Sequence, residues 1–221
     1  MRLKPVIFIR HNYIIMEGID YGIFNTSSTP QRGAESIDFN LEVFIEIAKG
    51  SHVKYEYDKK KKGLVCDRIL RTPFKYGFNY GFIPNTLSED GDPLDVVVIM
   101  DDELIPGCYI SCRLVGVLET KDDAGVDPKL IMVPSTKVDP MYISCRNIYD
   151  INPSIRDKIR YFFTHYKDLE GKKVDVGVFR NKDDAIAIYN QSVARFVDKV
   201  NSLSGVTILA VAPTENNAGS S

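Results

Sequence analysis

The chain has 221 residues, 44% of them hydrophobic and 26% charged, with a formal net charge of -2. This is an ordinary globular composition, long enough for a full core, and its near-neutral balance argues against a broad nucleic-acid-binding surface. No apolar run approaches the ~20 residues of a membrane span. Arg10-His11-Asn12 divides Pro5-Val6-Ile7-Phe8-Ile9 from Tyr13-Ile14-Ile15-Met16, and no clear small-residue cleavage site follows, which also argues against a signal peptide. Cys66, Cys108, Cys112 and Cys145 lack a second Cys/His pair at zinc spacing and read as free, buried thiols of a reducing compartment. All but Cys145 sit in an apolar, strand-like context. The chain is expected to be soluble and cytoplasmic, with one domain over 41–203 between an N-terminal extension, 1–40, and a tail, 204–221.

In chain order, the extension ends in a polar, turn-rich linker over 25–33. From 42 to 48 the period is two, with Val43, Ile45 and Ile47 on one face and Phe44 and Glu46 on the other. A strand over 52–58 puts Lys54, Glu56 and Asp58 on one face, opposite Tyr55 and Tyr57. A solvated charged face and a site explain that pattern equally well. Lys59-Lys60-Lys61-Lys62-Gly63 reads as a solvated hairpin tip, and 64–70 as its return strand. Residues 71–87, rich in Gly, Pro and aromatics, are expected to be irregular. Strands are expected over 96–100, 109–119 and 130–133, the last two joined by a second acidic loop, 120–128.

Asn152 caps a predicted helix with Pro153 in its first turn. Ile155, Ile159 and Phe163 form its apolar stripe, flanked by Phe162, Tyr166 and Leu169. A strand over 173–179, carrying Val174, Val176 and Val178, precedes a second helix over 182–200. That helix turns Ile186, Tyr189, Val193, Phe196, Val197 and Val200 to one face. Many short strands followed by helices indicate an α+β fold, a small barrel or curved sheet packed with two helices.

The chemistry concentrates in Ser88-Glu89-Asp90-Gly91-Asp92-Pro93-Leu94-Asp95. Asp90, Asp92 and Asp95 crowd like charges, which costs free energy unless a cation or protonation neutralises them. Oxygen donors of this kind suit Mg²⁺, although Asp and Gly are also ordinary turn residues. The stretch is not an EF-hand, since Leu94 falls at the fifth position and Asp95 where glycine belongs. There is no P-loop, dinucleotide fingerprint, GxSxG or HExxH. If the two acidic loops converged with the dispersed Lys, Arg and Tyr, they would hold several divalent ions around a polyphosphate anion.

Asp90-Gly91-Asp92-Pro93-Leu94-Asp95-Val96 resembles, at all seven positions, the signature of family I soluble inorganic pyrophosphatases. Val53-Lys54-Tyr55-Glu56, Asp67-Arg68, Asn79-Tyr80-Gly81-Phe82-Ile83, Gly116-Val117-Leu118, Asp122-Asp123-Ala124-Gly125-Val126-Asp127-Pro128-Lys129 and Phe162-Phe163-Thr164-His165-Tyr166-Lys167-Asp168-Leu169 resemble the family's other blocks, in its order and spacing. The resemblance implies an OB-like five-stranded β barrel with peripheral strands and two helices. It also implies hydrolysis of pyrophosphate to two phosphates by metal-activated water, with several Mg²⁺ ions per site and Mn²⁺ as a substitute. By position, Asp90, Asp95 and Asp127 match ligands of the tighter metals, with Asp95 placed to bridge. Asp122, with Asp127 and Glu46, matches the set that receives metals arriving with substrate. Asp92 matches the general base, and Glu56 and Tyr76 match further active-site groups. Lys54, Arg68, Tyr80, Lys129, Tyr166 and Lys167 match the groups that hold phosphate oxygens, and Lys54, Arg68 and Tyr80 are counted with Asp92 as catalytic. A homo-oligomer is implied, a hexamer before a dimer.

Some positions depart from the family. Ala48-Lys49-Gly50 replaces a proline-containing turn, Lys173 stands where many members have Trp, and Gly77-Phe78 replaces a common Pro-Cys pair. Tyr76 and Tyr166 also read as core aromatics, and His165 as a helix-packing residue. A non-catalytic metal-binding module and a phosphohydrolase acting on nucleotides are the competing readings.

Overall fold

Alternating β-branched and aromatic residues put the middle of the chain into strands. The elements are β1 (Ile7–Phe8), β2 (Asn40–Ile47), β3 (Val53–Asp58), β4 (Gly63–Ile69), β5 (Asn79–Ile83), β6 (Leu94–Val98), β7 (Tyr109–Asp122), β8 (Gly125–Val126), β9 (Lys129–Pro134), α1 (Pro153–His165), β10 (Asp175–Arg180), α2 (Lys182–Ser204) and β11 (Ile208–Leu209). The computed structural model describes residues 7–8, 40–123, 125–204 and 208–209. The expected linker at 25–33 and most of the extension and tail lie outside these residues.

Strands β7, β2, β5, β6 and β9 hydrogen-bond in that order, and β9 pairs back onto β7, closing a five-stranded barrel. Only the β6–β9 contact of the barrel is parallel. Strands β10 and β8 extend from β7, while β3 and β4 form a separate antiparallel hairpin. Strands β1 and β11 pair in parallel. The α+β, OB-like architecture implied by the resemblance is the one observed.

Two apolar layers stabilise the barrel, and neighbours in β6 alternate between them. Val97 packs with Ile159, Phe162, Phe163 and Tyr166 on the α1 side. Val96 and Val98 belong to the layer that carries Ala185, Ile186, Ile188 and Tyr189 of α2. Helix α1 begins as expected, with Asn152 Oδ1 accepting the Ser154 N–H at 2.9 Å.

Several expectations need correction. Residues 71–87 are not irregular throughout, for they contain β5. Its central Gly81 disguised it: a Cβ there would lie 1.8 Å from the Phe44 carbonyl oxygen, so the close approach of β2 demands glycine. Ile155 and Leu169 are exposed; Ile155 lies in the first turn of α1, and Leu169 falls past its end in a 3-10 turn, Asp168–Glu170. Val178 is also exposed, since β10 lies outside the barrel. All four cysteines are free, but Cys66 on the outlying hairpin is exposed whereas Cys145 is buried.

Candidate active site

The acidic turn is built by its own backbone. Ser88 N–H donates to the Asp92 carbonyl at 2.7 Å, and Gly91, at φ 96°, turns its N–H to Ser88 at 3.2 Å. Asp92 N–H donates to Asp90 Oδ1 at 3.0 Å. Asp95 has already entered β6, opposite Phe82 of β5. The two-residue strand period then brings in Tyr80, whose hydroxyl donates to Asp95 Oδ2 at 2.5 Å.

The second acidic loop meets the first through one cation. Asp122 ends β7, Asp127 follows β8, and Lys129 begins β9. Lys129 is only 3% exposed, and its ammonium donates to both Asp95 and Asp127. Burial raises the Asp127 carboxyl above the ordinary carboxylate range; Lys129 opposes that, and the charges of Asp95 and Asp90 reinforce it. Asp92, though exposed, is raised too, by partial desolvation first and then by the charges of Asp90 and Asp95.

Two β-bulges supply further acids. In β2, Ile45 faces Gly81 and Ile47 faces Tyr80, so Glu46 is the extra residue. It accepts the Tyr57 N–H at 2.6 Å, and burial pushes its carboxyl up to about 7. In the hairpin, Lys54 faces Arg68 and Tyr55 faces Cys66, leaving Asp67 as the bulged residue. Asp67 binds Arg68 Nη1 at 3.0 Å and Lys54 at 3.4 Å, and Lys54 also reaches Glu56. Arg68 Nε lies 3.2 Å from Glu170, an ion pair without hydrogen-bond geometry.

Tyr76 and Tyr166 are buried within the α1 layer. The Tyr76 and Tyr80 rings lie 5.6 Å apart, and burial, with Asp95 among the neighbouring charges, raises both hydroxyls well above the usual phenol range. Lys167 binds Asp122 at 3.0 Å and lies 5.4 Å from the Tyr166 ring centre. His165 packs on Tyr161 and pairs with Asp168 at 2.9 Å, away from this set. The expected residues thus join one network of contacts and fields. Asp67 and Glu170 join the set without a signal in the sequence: a bulge brings the first to Lys54, against strand alternation, and the second sits in a short turn after α1.

The donor set suits a hard divalent cation. Every acid offers oxygen, and partly buried carboxylates that repel one another gather there with buried Lys129 as their counter-charge. Among the described residues no three His, Cys, Asp or Glu side chains are grouped as a ready metal site; Lys129 binds both Asp95 and Asp127. Two clefts of about 340 and 730 Å³ are lined by other residues.

A closed barrel carrying facing acids and cations is the kind of surface that suits divalent cations and a polyanion. A family model described as inorganic pyrophosphatase matches residues 43–197. The inorganic pyrophosphatase of Nanoarchaeum equitans is 51% identical over 150 residues, 67% of this chain and 92% of that one. The inorganic pyrophosphatase structure from Helicobacter pylori superposes with a TM-score of 0.70 at 44% identity, over 71% of this chain and 93% of that one. For that from Thermus thermophilus the values are 0.69, 35%, 77% and 97%. The chain belongs to the inorganic pyrophosphatase family.

Proposed function

We propose that the chain hydrolyses inorganic pyrophosphate to two orthophosphates with Mg²⁺, using Asp92 as general base. The observation that carries this reading is the joining of both acidic loops through buried Lys129, with Lys54 and Arg68 paired across the β3–β4 hairpin as further cations. When bound by Asp90, Asp95 and Asp127, with Asp122 and Glu46 beside them, Mg²⁺ would neutralise phosphate charge and make water more acidic.

Asp92 accepts the proton of the attacking water, and its raised basicity suits that role. Lys54, Arg68, Lys129 and Lys167 offset charge on the substrate and on the departing phosphate. Tyr80 and Tyr166 donate to phosphate oxygens and fix the anion's orientation. Glu56 and Tyr76 complete the wall. Four free cysteines agree with a reducing cytoplasm, where the reaction would remove pyrophosphate released by biosynthesis. A homo-oligomer is part of the same proposal.

The test is phosphate release from pyrophosphate, ATP and a simple phosphomonoester, with Mg²⁺ and after chelation. Release from pyrophosphate alone, abolished by chelation, is expected. Equal release from ATP, or none from pyrophosphate, would overturn the reading.

A further inference from the structure

The turn that carries Asp90 and Asp92 is tied to a helix far away in sequence. Both backbone polar groups of Leu87 go to α2. Its N–H donates to the Ser192 carbonyl at 3.0 Å, and its carbonyl accepts from Arg195 Nε at 2.8 Å. Arg195 Nη2 also donates to Ser192 Oγ at 3.1 Å, and wholly buried Ser192 donates to the Ile188 carbonyl at 2.9 Å.

The Leu87 carbonyl and the Ser88 N–H belong to one rigid peptide plane. That N–H is the group that donates to the Asp92 carbonyl at 2.7 Å. A single peptide therefore connects the Arg195 guanidinium to the backbone of Asp92. A charged donor makes the stronger hydrogen bond, and bonds in series polarise one another. Side-chain packing supports the turn less. Asp90, Gly91 and Asp92 are exposed, and Ser88 and Glu89 border the cleft of about 340 Å³ that Gln191 and Arg195 also line.

We propose that Arg195 is a positioning residue for pyrophosphate hydrolysis, holding the Leu87–Ser88 peptide so that Asp92 is aimed at the attacking water. This rests on the reading of Asp92 as base. Arg195 acts through that peptide and not on the substrate, so its loss should separate turnover from binding.

The test is steady-state kinetics at saturating Mg²⁺ on Arg195→Met, Arg195→Lys, Val197→Ala, Asp92→Asn and the Asp92→Asn/Arg195→Met double variant. Because a shift of ~1 Å can cost ~100-fold in rate, Arg195→Met is expected to lower kcat about tenfold or more. KM for pyrophosphate should stay within about twofold, the mark of an effect on the reacting geometry. Arg195→Lys, which keeps a charged donor, should recover part of the loss. Val197→Ala, which trims a buried side chain of the same helix, should lower the melting temperature and leave kcat unchanged. In the Asp92→Asn background, Arg195→Met should cost little more, because both act through one group.

Unchanged kcat in folded Arg195→Met, an equal loss in the Asp92→Asn background, or the same loss from Val197→Ala would overturn the proposal. If Arg195→Met does not fold, Arg195→Lys with and without Asp92→Asn decides in the same way. An active Asp92→Asn would overturn the reading of the base and the proposal together. An inactive Asp92→Asn beside an unaffected Arg195→Met would overturn the proposal alone.

Discussion

Asp95 and Asp127 share one buried ammonium, that of Lys129. Removing one partner of a buried ion pair leaves uncompensated charge and costs about 3–5 kcal/mol. Lys129→Met is therefore expected to melt far below the parent chain in chelator. A divalent cation neutralises the same carboxylates, so adding Mg²⁺ should restore much of the difference. Equal losses with and without Mg²⁺ in a thermal scan would count against these acids as cation ligands. Glu46 shows the same pressure, since burial holds its carboxyl at about 7.

At the level of elements, the site depends on strands that approach too closely for ordinary side chains. A Cβ on Gly81 would lie 1.8 Å from the Phe44 carbonyl and 2.9 Å from the Ile45 Cα. Overpacking of this kind costs about 1–3 kcal/mol, occasionally more, and here the clash is with backbone that cannot swing aside. Gly81→Ala should lower the melting temperature by about 2–12 °C or more, taking roughly 2–4 °C per kcal/mol at this size; an unchanged melting curve would refute the close approach. The same glycine explains what the sequence concealed. Where alternation is clean, as at Val43 and Ile45, strands were legible, and the Asn152-Pro153 start of α1 was too. Gly81 broke the pattern of β5. The two bulges have no mark in the sequence, because an extra residue in a ladder depends on its partner strand. Strict alternation sends Asp67 and Arg68 to opposite faces, so the sequence alone does not mark Asp67 as part of the site. Spacing carries no mark of the convergence of the two acidic loops; the parallel pairing of β6 with β9, Val96 opposite Leu130, is what joins them.

Across the whole molecule, the thiols report how burial is distributed. Cys66 is exposed on the outlying hairpin, whereas Cys112 is wholly buried and its thiol is pushed far up by desolvation. Burial holds the Cys145 thiol at about 11. Thiolate is the reactive form, so a disulfide reagent at neutral pH should modify Cys66 first and reach Cys112 and Cys145 only in denaturant. Equal native rates would contradict the barrel's packing. The proposed chemistry rests on Asp92 as base, and turnover of Asp92→Asn at saturating Mg²⁺ and pyrophosphate, beside a Mg²⁺-binding isotherm, tests it most directly. Loss of a general base costs about 10²–10⁴ in rate, so turnover should fall by orders of magnitude while Mg²⁺ still binds; near-normal hydrolysis by that variant would contradict the assignment.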